Sequence, residues 1–509
     1  LANEINESFQ KVSSGLQPLS PEILGLIPLE QSDVAPITIG REQVERRLMT
    51  TSLVKAAGPD GIPNWIFHDL APYVSYPVTI IFNTSIAEGE VPGIWKQSNV
   101  VPIPKSNPPK TIENDLRPIS LTPTLAKHLE WFICQWLLSA VTNKLDAQQF
   151  GALRGRSTTH ALVDIIHKWS AALDAGSSVR AVFVDYAKAF DHVDHSILLT
   201  KLISLGIPAY IIRWIYSFLA ERQQRVKIED VFSEWVTLKG GMPQGTRLGP
   251  LTFVILIDGL RLDCLVHKFI DDTTASEILG RQQSSNMMNI TRQLMDWTKS
   301  NNMIINSKKT KEIILGTLSK SPPPILMMDG ASIERVTSFK LLGLNISSSL
   351  KWDNHVNEIC SKTASRMHFL KILRRACTRQ ADALNFYITV IRPILDYACP
   401  VWHSMITKRL SSKIESQQIR AMRIIYGDLG YEEALATAGI ATLHDRREKL
   451  TLEFFQSICQ SSSCLFHLMP PRRDPEPRLM LRSAREYPVP FCRTKRFQTS
   501  FLPSFKNFQ

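Results

Sequence analysis

Apolar positions along this chain keep no single period. They bunch into short strand-like runs at Val179 to Val184, Cys264 to Ile270 and Lys311 to Leu315. They recur at helical spacing from Leu125 to Leu145, within Ile197 to Leu219 and around Ser285 to Asn301. Val100, Val101 and Ile103 predict a further strand in the proline-rich stretch Val91 to Pro123, which a loop at Ser106 to Lys110 interrupts. After Leu350 the pattern turns largely helical, with Lys351 to Arg375, Gln380 to Ile391 and Lys408 to Tyr426 as the main segments. Residues 1–45, punctuated by Pro18, Pro21, Pro28 and Pro36, read as an extended lead-in with one helix at its start. There is no internal repeat.

Composition narrows the class. At 509 residues and 44% apolar content the chain is globular, and it is long enough to need two or three subdomains. No apolar run is long enough for a membrane span, since Leu251 to Ile257 stops at Asp258, and the N-terminus has no basic-then-apolar signal. A soluble protein is expected. Eight thinly spread cysteines fit a reducing compartment; Cys459, Cys464 and His467 form the best zinc candidate but lack a nearby fourth ligand, which favours incidental thiols. The first residue is Leu1 and not Met, as expected of a piece of something longer.

The net charge of +12 points to a polyanionic partner. Half of it lies in the last 39 residues, where nine Lys or Arg face three acids. Such a run is commonly a solvated face, but here Phe491, Phe497, Phe501 and Phe505 are interleaved with it, which predicts stacking on unpaired bases.

Two of the strand-like runs end in acid. Asp185 follows Val184, and Asp271 and Asp272 follow Ile270. Strand ends in one sheet can bring such carboxylates to a single point, which is how a site for hard divalent cations is built. Two ions so held serve in-line displacement at phosphorus, in synthesis and hydrolysis alike. The plain alternative is that Asp271 and Asp272 form a hairpin turn, which suits aspartate. Other segments carry similar double readings. Gly240 to Gly245 with Gln244 lets backbone approach a base pair or sugar, or marks an ordinary turn. Lys105 and Arg117 can clamp a triphosphate or be solvated charges, and Phe190 taken singly is a core aromatic.

In their order along the chain these segments resemble the reverse transcriptases of non-LTR (LINE-type) retrotransposons. The matching blocks are KAAGPDGIPNW (55–65), the stretch from Val101 ending in LRPISL at Leu121, QFGALRGRSTTHAL (149–162), FVDYAKAFDHV (183–193), GGMPQGTRLGP (240–250), FIDD (269–272), NSKKTK (306–311) and FKLLGLNI (339–346). The likeness continues through LKWDNH (350–355) and YITVIRPILDYACPVW (387–402). Phe269 and Ile270 depart from the family's commoner aromatic followed by Ala or Val, and Ala152 stands where Phe is frequent.

The resemblance implies an α+β right-hand polymerase fold. Fingers and a palm with an antiparallel sheet would occupy residues 46–345, a helical thumb 346–430, and a basic, helical C-terminal extension 431–509. It implies an RNA-directed DNA polymerase in which Asp185, Asp271 and Asp272 hold two magnesium ions, with manganese as the substitute. Phe190 would exclude a ribose 2′-hydroxyl, Gln244 and Gly245 would track template and incoming nucleotide, and Lys105 and Arg117 would hold the triphosphate. Lys309 or Lys311 would protonate the leaving pyrophosphate, and Leu342 and Gly343 would seat the primer end. The implied partners are an RNA template, a DNA primer or target and dNTPs, with no membrane, and an intracellular location in nucleus or cytoplasm. An endonuclease domain that many relatives carry is not seen upstream. The rivals are a non-catalytic nucleic-acid-binding remnant and, from the carboxylates alone, a two-metal phosphodiester hydrolase.

Overall fold

The run that ends at Val184 forms Ser178–Val184, the middle strand of a five-stranded sheet, and all seven of its residues are buried. Burial on both faces explains why its sequence is nearly continuous in apolar residues rather than alternating. The strand order is Glu334–Arg335, Lys311–Leu315, Ser178–Val184, Asp272–Leu279, Leu265–Phe269. Both neighbours of the middle strand are antiparallel to it, and only the edge pair Glu334–Arg335 with Lys311–Leu315 is parallel. The helix Thr158–Asp174, capped by Ser157, buries Leu162, Ile165, Ile166 and Trp169; the Trp169 indole donates to Ser276 Oγ at 3.1 Å. Phe183 stacks on Phe339 with ring centroids 4.0 Å apart. A buried side chain of such size contributes about 1.5–3 kcal/mol.

The computed structural model describes residues 1–32, 34–427, 429–471, 487 and 491–505 and is α+β throughout. The chain divides into two units. One comprises Leu1–Leu153, Asp185–Arg261 and Gln293–Asn306, and the other Arg154–Val184, Leu262–Arg292 and Ser307–Gln509.

The first unit has its own sheet, in which Gln97–Pro104 pairs with Leu116–Leu121 on one side and Gln223–Ile228 on the other. The predicted N-terminal helix, Ala2–Gln10, is docked on it. Its Ala2 and Ile5 pack with Val100, Leu116 and Val226, and buried Asn6 bonds Ser233 Oγ and Gln224 Nε2. The predicted Ile197 to Leu219 stretch is two helices, His195–Ser204 and Ala209–Leu219, divided where Gly206 takes φ +68° and Pro208 follows. The apolar run 251–257 lies in the helix Leu248–Ile257, buried on every side, which accounts for its lack of a polar face. No helix among the described residues is long and apolar enough to cross a membrane.

The second unit continues from its sheet into the hairpin Ser338–Leu341 and Leu344–Ser347 and then into helices, as the pattern after Leu350 predicts. Asp353–Arg375 and Lys408–Tyr426 pack through Met367, Leu370, Ala421, Met422 and Ile425, with Tyr387 and Ile391 between them. Two ionic clusters are buried here. Glu312 takes Arg180 Nε and Arg335 Nε, each at 2.6 Å. Asp164, with no exposed side-chain surface, takes Lys168 Nζ at 2.7 Å, His267 Nε2 at 2.8 Å and His467 Nε2 at 3.2 Å. These partners hold Asp164 far below the usual carboxylate range, although burial alone would raise it.

The C-terminal expectations need correction. Phe497 and Phe501 are buried, and Phe505 stacks on Phe455 at 4.1 Å, so of the four phenylalanines expected to stack on bases only Phe491 is exposed, at 85%. Phe497 and Phe501 are packed from two separate short helices, Lys495–Gln498 and Phe501–Ser504: the first, containing Phe497, adjoins Thr158–Asp174, where Asp174 accepts from the backbone N–H of Arg493 and Thr494. Arg493, Lys495 and Arg496 remain exposed, while Arg472, Arg473, Arg478, Arg482, Arg485 and Lys506 lie outside the described residues. His467 is bonded to Asp164 rather than grouped with the thiols of Cys459 and Cys464.

Candidate active site

The acidic pair sits on a tight hairpin in the second unit. Phe269 pairs with Asp272 across the end of the ladder, so Ile270 and Asp271 are the two turn residues and Asp272 opens the returning strand. Turn and functional readings of the pair are therefore compatible. Ile270 has φ +58°, a conformation that a β-branched residue adopts at a cost of about 1–3 kcal/mol. The returning strand pairs with the middle strand such that Thr273, next to Asp272, lies opposite Val184, next to Asp185. Asp271 is half-buried and Asp272 exposed.

Asp185 belongs to the first unit, where its carbonyl accepts the Asn306 N–H at 2.7 Å and the Ala187 N–H reaches Ile304 at 2.8 Å. A few residues on, the backbone folds over the glycine loop. Phe190 O accepts from Met242 N at 2.8 Å, Val193 O from Gly241 N at 2.9 Å, and buried His195 donates Nε2–H to Gly241 O at 2.8 Å. On its other side the loop is tied to the sheet, since Ser120 N donates to Gln244 O at 2.7 Å. Gly245 has φ +124°, and a Cβ there would stand 2.8 Å from Ser120 O, so the loop can lie this close only with glycine. Phe190 is half-buried, with its ring 5.2 Å from that of Phe253. Fully buried Glu130, pushed up by burial, accepts from the N–H groups of Arg247 and Leu248 and so anchors the helix that follows.

The sequence reading overlooked Asp191. Gln244 Nε2 donates to its carboxylate at 3.4 Å, and burial pushes the group up to about 6 against the pull of Gln244, Lys188 and Lys105. Asp191 lines a small cavity of about 40 Å³ with Ser120, Gly241 and Gln244. Its one sequence signal is an acid directly after Phe190.

Lys105 and Arg117 are brought to one end of the first unit's hairpin: Pro104 pairs with Leu116 and Ile103 with Arg117, and both cations are exposed. Lys105 Nζ donates to Asn114 O at 2.8 Å. In the second unit Lys311 is paired with Glu334 at 2.7 Å, while Lys309 is exposed. Leu342 and Gly343 form the two-residue turn of a hairpin, with φ +44° and +89°. The Tyr397 hydroxyl donates to Leu342 O at 2.9 Å and lies 3.0 Å from Thr158 Oγ1. A Cβ on Gly343 would meet Tyr397 Cε1 at 2.9 Å. Among the described residues the one close set of metal-type ligands found together is His444, Asp445 and Glu448, all exposed.

Residues 103–346 match the family described as Reverse transcriptase (RNA-dependent DNA polymerase). The probable RNA-directed DNA polymerase from transposon BS of Drosophila melanogaster is 27% identical over 417 residues, which cover 78% of this chain and 46% of that protein. The probable RNA-directed DNA polymerase from transposon X-element of the same fly is 23% identical, over 83% of this chain and 46% of its own length. The RNA-directed DNA polymerase from mobile element jockey, also of that fly, is 25% identical, over 84% and 48%. The chain thus spans about half the length of the curated relatives it matches. Together with the acid-bearing hairpin and the glycine loop, these matches show that residues 103–346 are similar to the reverse transcriptase family and that most of the chain is similar, at 23–27% identity, to RNA-directed DNA polymerases of Drosophila transposons and mobile elements.

Proposed function

We propose that the chain is an RNA-directed DNA polymerase of right-hand architecture, which extends a primer 3′-hydroxyl with deoxynucleoside triphosphates on an RNA template. The reading rests above all on strand register. The hairpin turn that carries Asp271 and Asp272 belongs to a strand paired with Ser178–Val184, and Asp185 is the next residue of that middle strand's chain. Carboxylates delivered from the ends of rigid strands fit the oxygen-only preference of hard divalent cations. Asp185, Asp271 and Asp272 would hold two such ions, magnesium or in its place manganese, which when bound favour the alkoxide form of the primer hydroxyl and neutralise charge on the pyrophosphate.

The remaining roles follow from side-chain chemistry. Lys105 and Arg117, exposed at one hairpin end, supply a point charge and a planar fork for the triphosphate. Phe190 offers bulk where a 2′-hydroxyl would stand, and its carbonyl ties it to the loop bearing Gln244 and Gly245, whose backbone tracks the template and incoming nucleotide. Lys309 or Lys311, both in the segment 306–311, would supply the proton for the leaving group. Leu342 and Gly343 seat the primer end on a turn braced by Tyr397. On this reading residues 46–345 act as fingers and palm, 346–430 as thumb, and 431–509 as a basic extension that adds phosphate contacts.

Primer extension on an RNA template with magnesium and all four dNTPs tests it, with Asp185→Asn and Asp271→Asn as partners. Extension by the unaltered chain that both substitutions abolish is the expected result. Salt-sensitive RNA binding by all three proteins with no extension by any would favour the binding remnant instead.

A further inference from the structure

A second site lies in the helical part of the second unit. The start of Lys408–Tyr426 and the start of Leu443–Ile458 border a cleft of about 530 Å³, whose lining includes His403, Ser404, Lys408, Ser411, Glu415 and His444. Behind this wall is Arg447, with no exposed surface. Its Nε donates to His403 Nδ1 at 3.4 Å and its Nη2 to Ser411 Oγ at 3.2 Å, while Nη1 has no hydrogen-bond partner. Burial works against the Arg447 charge, and Glu415 and Asp396 offset only part of that. A buried guanidinium whose close partners are neutral is costly unless a further group completes its surroundings.

The way Arg447 is bonded fixes what the wall can offer. His403 accepts a hydrogen bond at Nδ1, so the neutral ring carries its own hydrogen on Nε2. Burial first, then Arg447, hold this imidazole down to about 3, so it stays neutral at physiological pH. Ser411 Oγ accepts from Arg447 and keeps its O–H to give elsewhere. Ser404 Oγ is buried with no partner, and the ammonium of Lys408 is exposed at the first turn of a 19-residue helix. Every one of these groups is a donor, and the helix start adds a partial positive charge. The single carboxylate in the lining is already committed, since Glu415 accepts from the Tyr431 hydroxyl and from the N–H groups of Leu443 and His444.

We propose that this cleft binds a phosphate group, free or carried by a nucleic-acid strand, through Lys408 and the hydrogens that Arg447 directs outward by way of His403 and Ser411. The site is separate from the polymerase centre and does not depend on it.

Titration of the full chain with inorganic phosphate, followed calorimetrically, is the test, repeated on Lys408→Ala/Ser411→Ala. Uptake at millimolar phosphate that the double variant weakens tenfold or more, on the order of 1.4 kcal/mol, is expected. No uptake at that concentration, or equal uptake by both proteins, overturns the proposal. Thermal unfolding checks that the variant is folded, and Lys408→Ala alone, at an exposed position, repeats the comparison if the pair proves unstable. Adding a single-stranded RNA separates the sources: phosphate displaced by RNA assigns the site to a strand, and phosphate retained under saturating RNA assigns it to the free ion.

Discussion

Two hairpins of the second unit turn in two residues each, and they do so at different cost. Both turns begin with a bulky apolar residue in the left-handed region, Ile270 at φ +58° and Leu342 at φ +44°. The second then uses Gly343 at φ +89°, and Tyr397 both fills the space beside it and holds the Leu342 carbonyl. The first has no glycine at all, and a β-branched residue occupies a position where turns of this kind favour one. A turn that contributes only its shape can take the residue with the least strain. On the proposed reading, a turn that must display Asp271 and Asp272 gives up that freedom, and the strain at Ile270 is held by the ladder on either side.

The largest expected break in this comparison is Asp271→Asn. Extension should fall on the order of 10³-fold or more, because charge stabilisation worth several kcal/mol is lost, while the melting temperature stays put. A steady-state primer-extension assay beside thermal unfolding reads both. Gly343→Ala should do the reverse of a pure catalytic change, lowering stability by about 1–3 kcal/mol through the Tyr397 collision and the positive φ. Denaturant unfolding measures this, and adding Tyr397→Leu should restore the part owed to the collision.

Asp191, half-buried like Asp271 but bonded to Gln244 of the glycine loop, sharpens the contrast. With its carboxyl held at about 6 against an ordinary 3.8, the folded chain keeps a proton that the unfolded chain has released between those values. Stability therefore falls as pH climbs from about 4 to about 6 and is level above. Asp191→Asn should remove that slope and gain about 1–2 kcal/mol at neutral pH, with no gain below pH 4; unfolding curves across pH decide it. The smallest effect belongs to Ile270→Gly, where relief of strain outweighs the entropy of a freer unfolded chain by about 0.5–1 kcal/mol while extension drops. Loss of stability instead would mean that Ile270 packing, not display of the acids, governs that turn.

Much of this was legible in the order of residues. The middle strand and the acid that follows it stood out because burial on both faces writes a nearly unbroken apolar run, and Lys311–Leu315 and Lys408–Tyr426 begin and end where their patterns do. Asp191 did not stand out, because its raised carboxyl comes from burial that only the folded chain supplies, beside a glycine loop whose Gln244 reaches it from 53 positions away. Tyr397 is likewise joined to Leu342 across 55 positions, with no local pattern to mark it. The phenylalanines of the tail were misread for a nearer reason: aromatics interleaved with basic residues suit packing as well as base stacking, and contacts with Phe455 and the Thr158–Asp174 helix claimed three of them.

The bonds of His467 to Asp164 and of Thr494 to Asp174 bear on modularity. Both acids sit on the helix that flanks the middle strand, yet their partners lie more than a hundred positions past residue 346, where the family match stops. The region that matches the family is thus not a self-sufficient block. Its inner helix is finished by the last stretch of the chain, so recombination or trimming at the family boundary would leave buried carboxylates short of the donors that balance them.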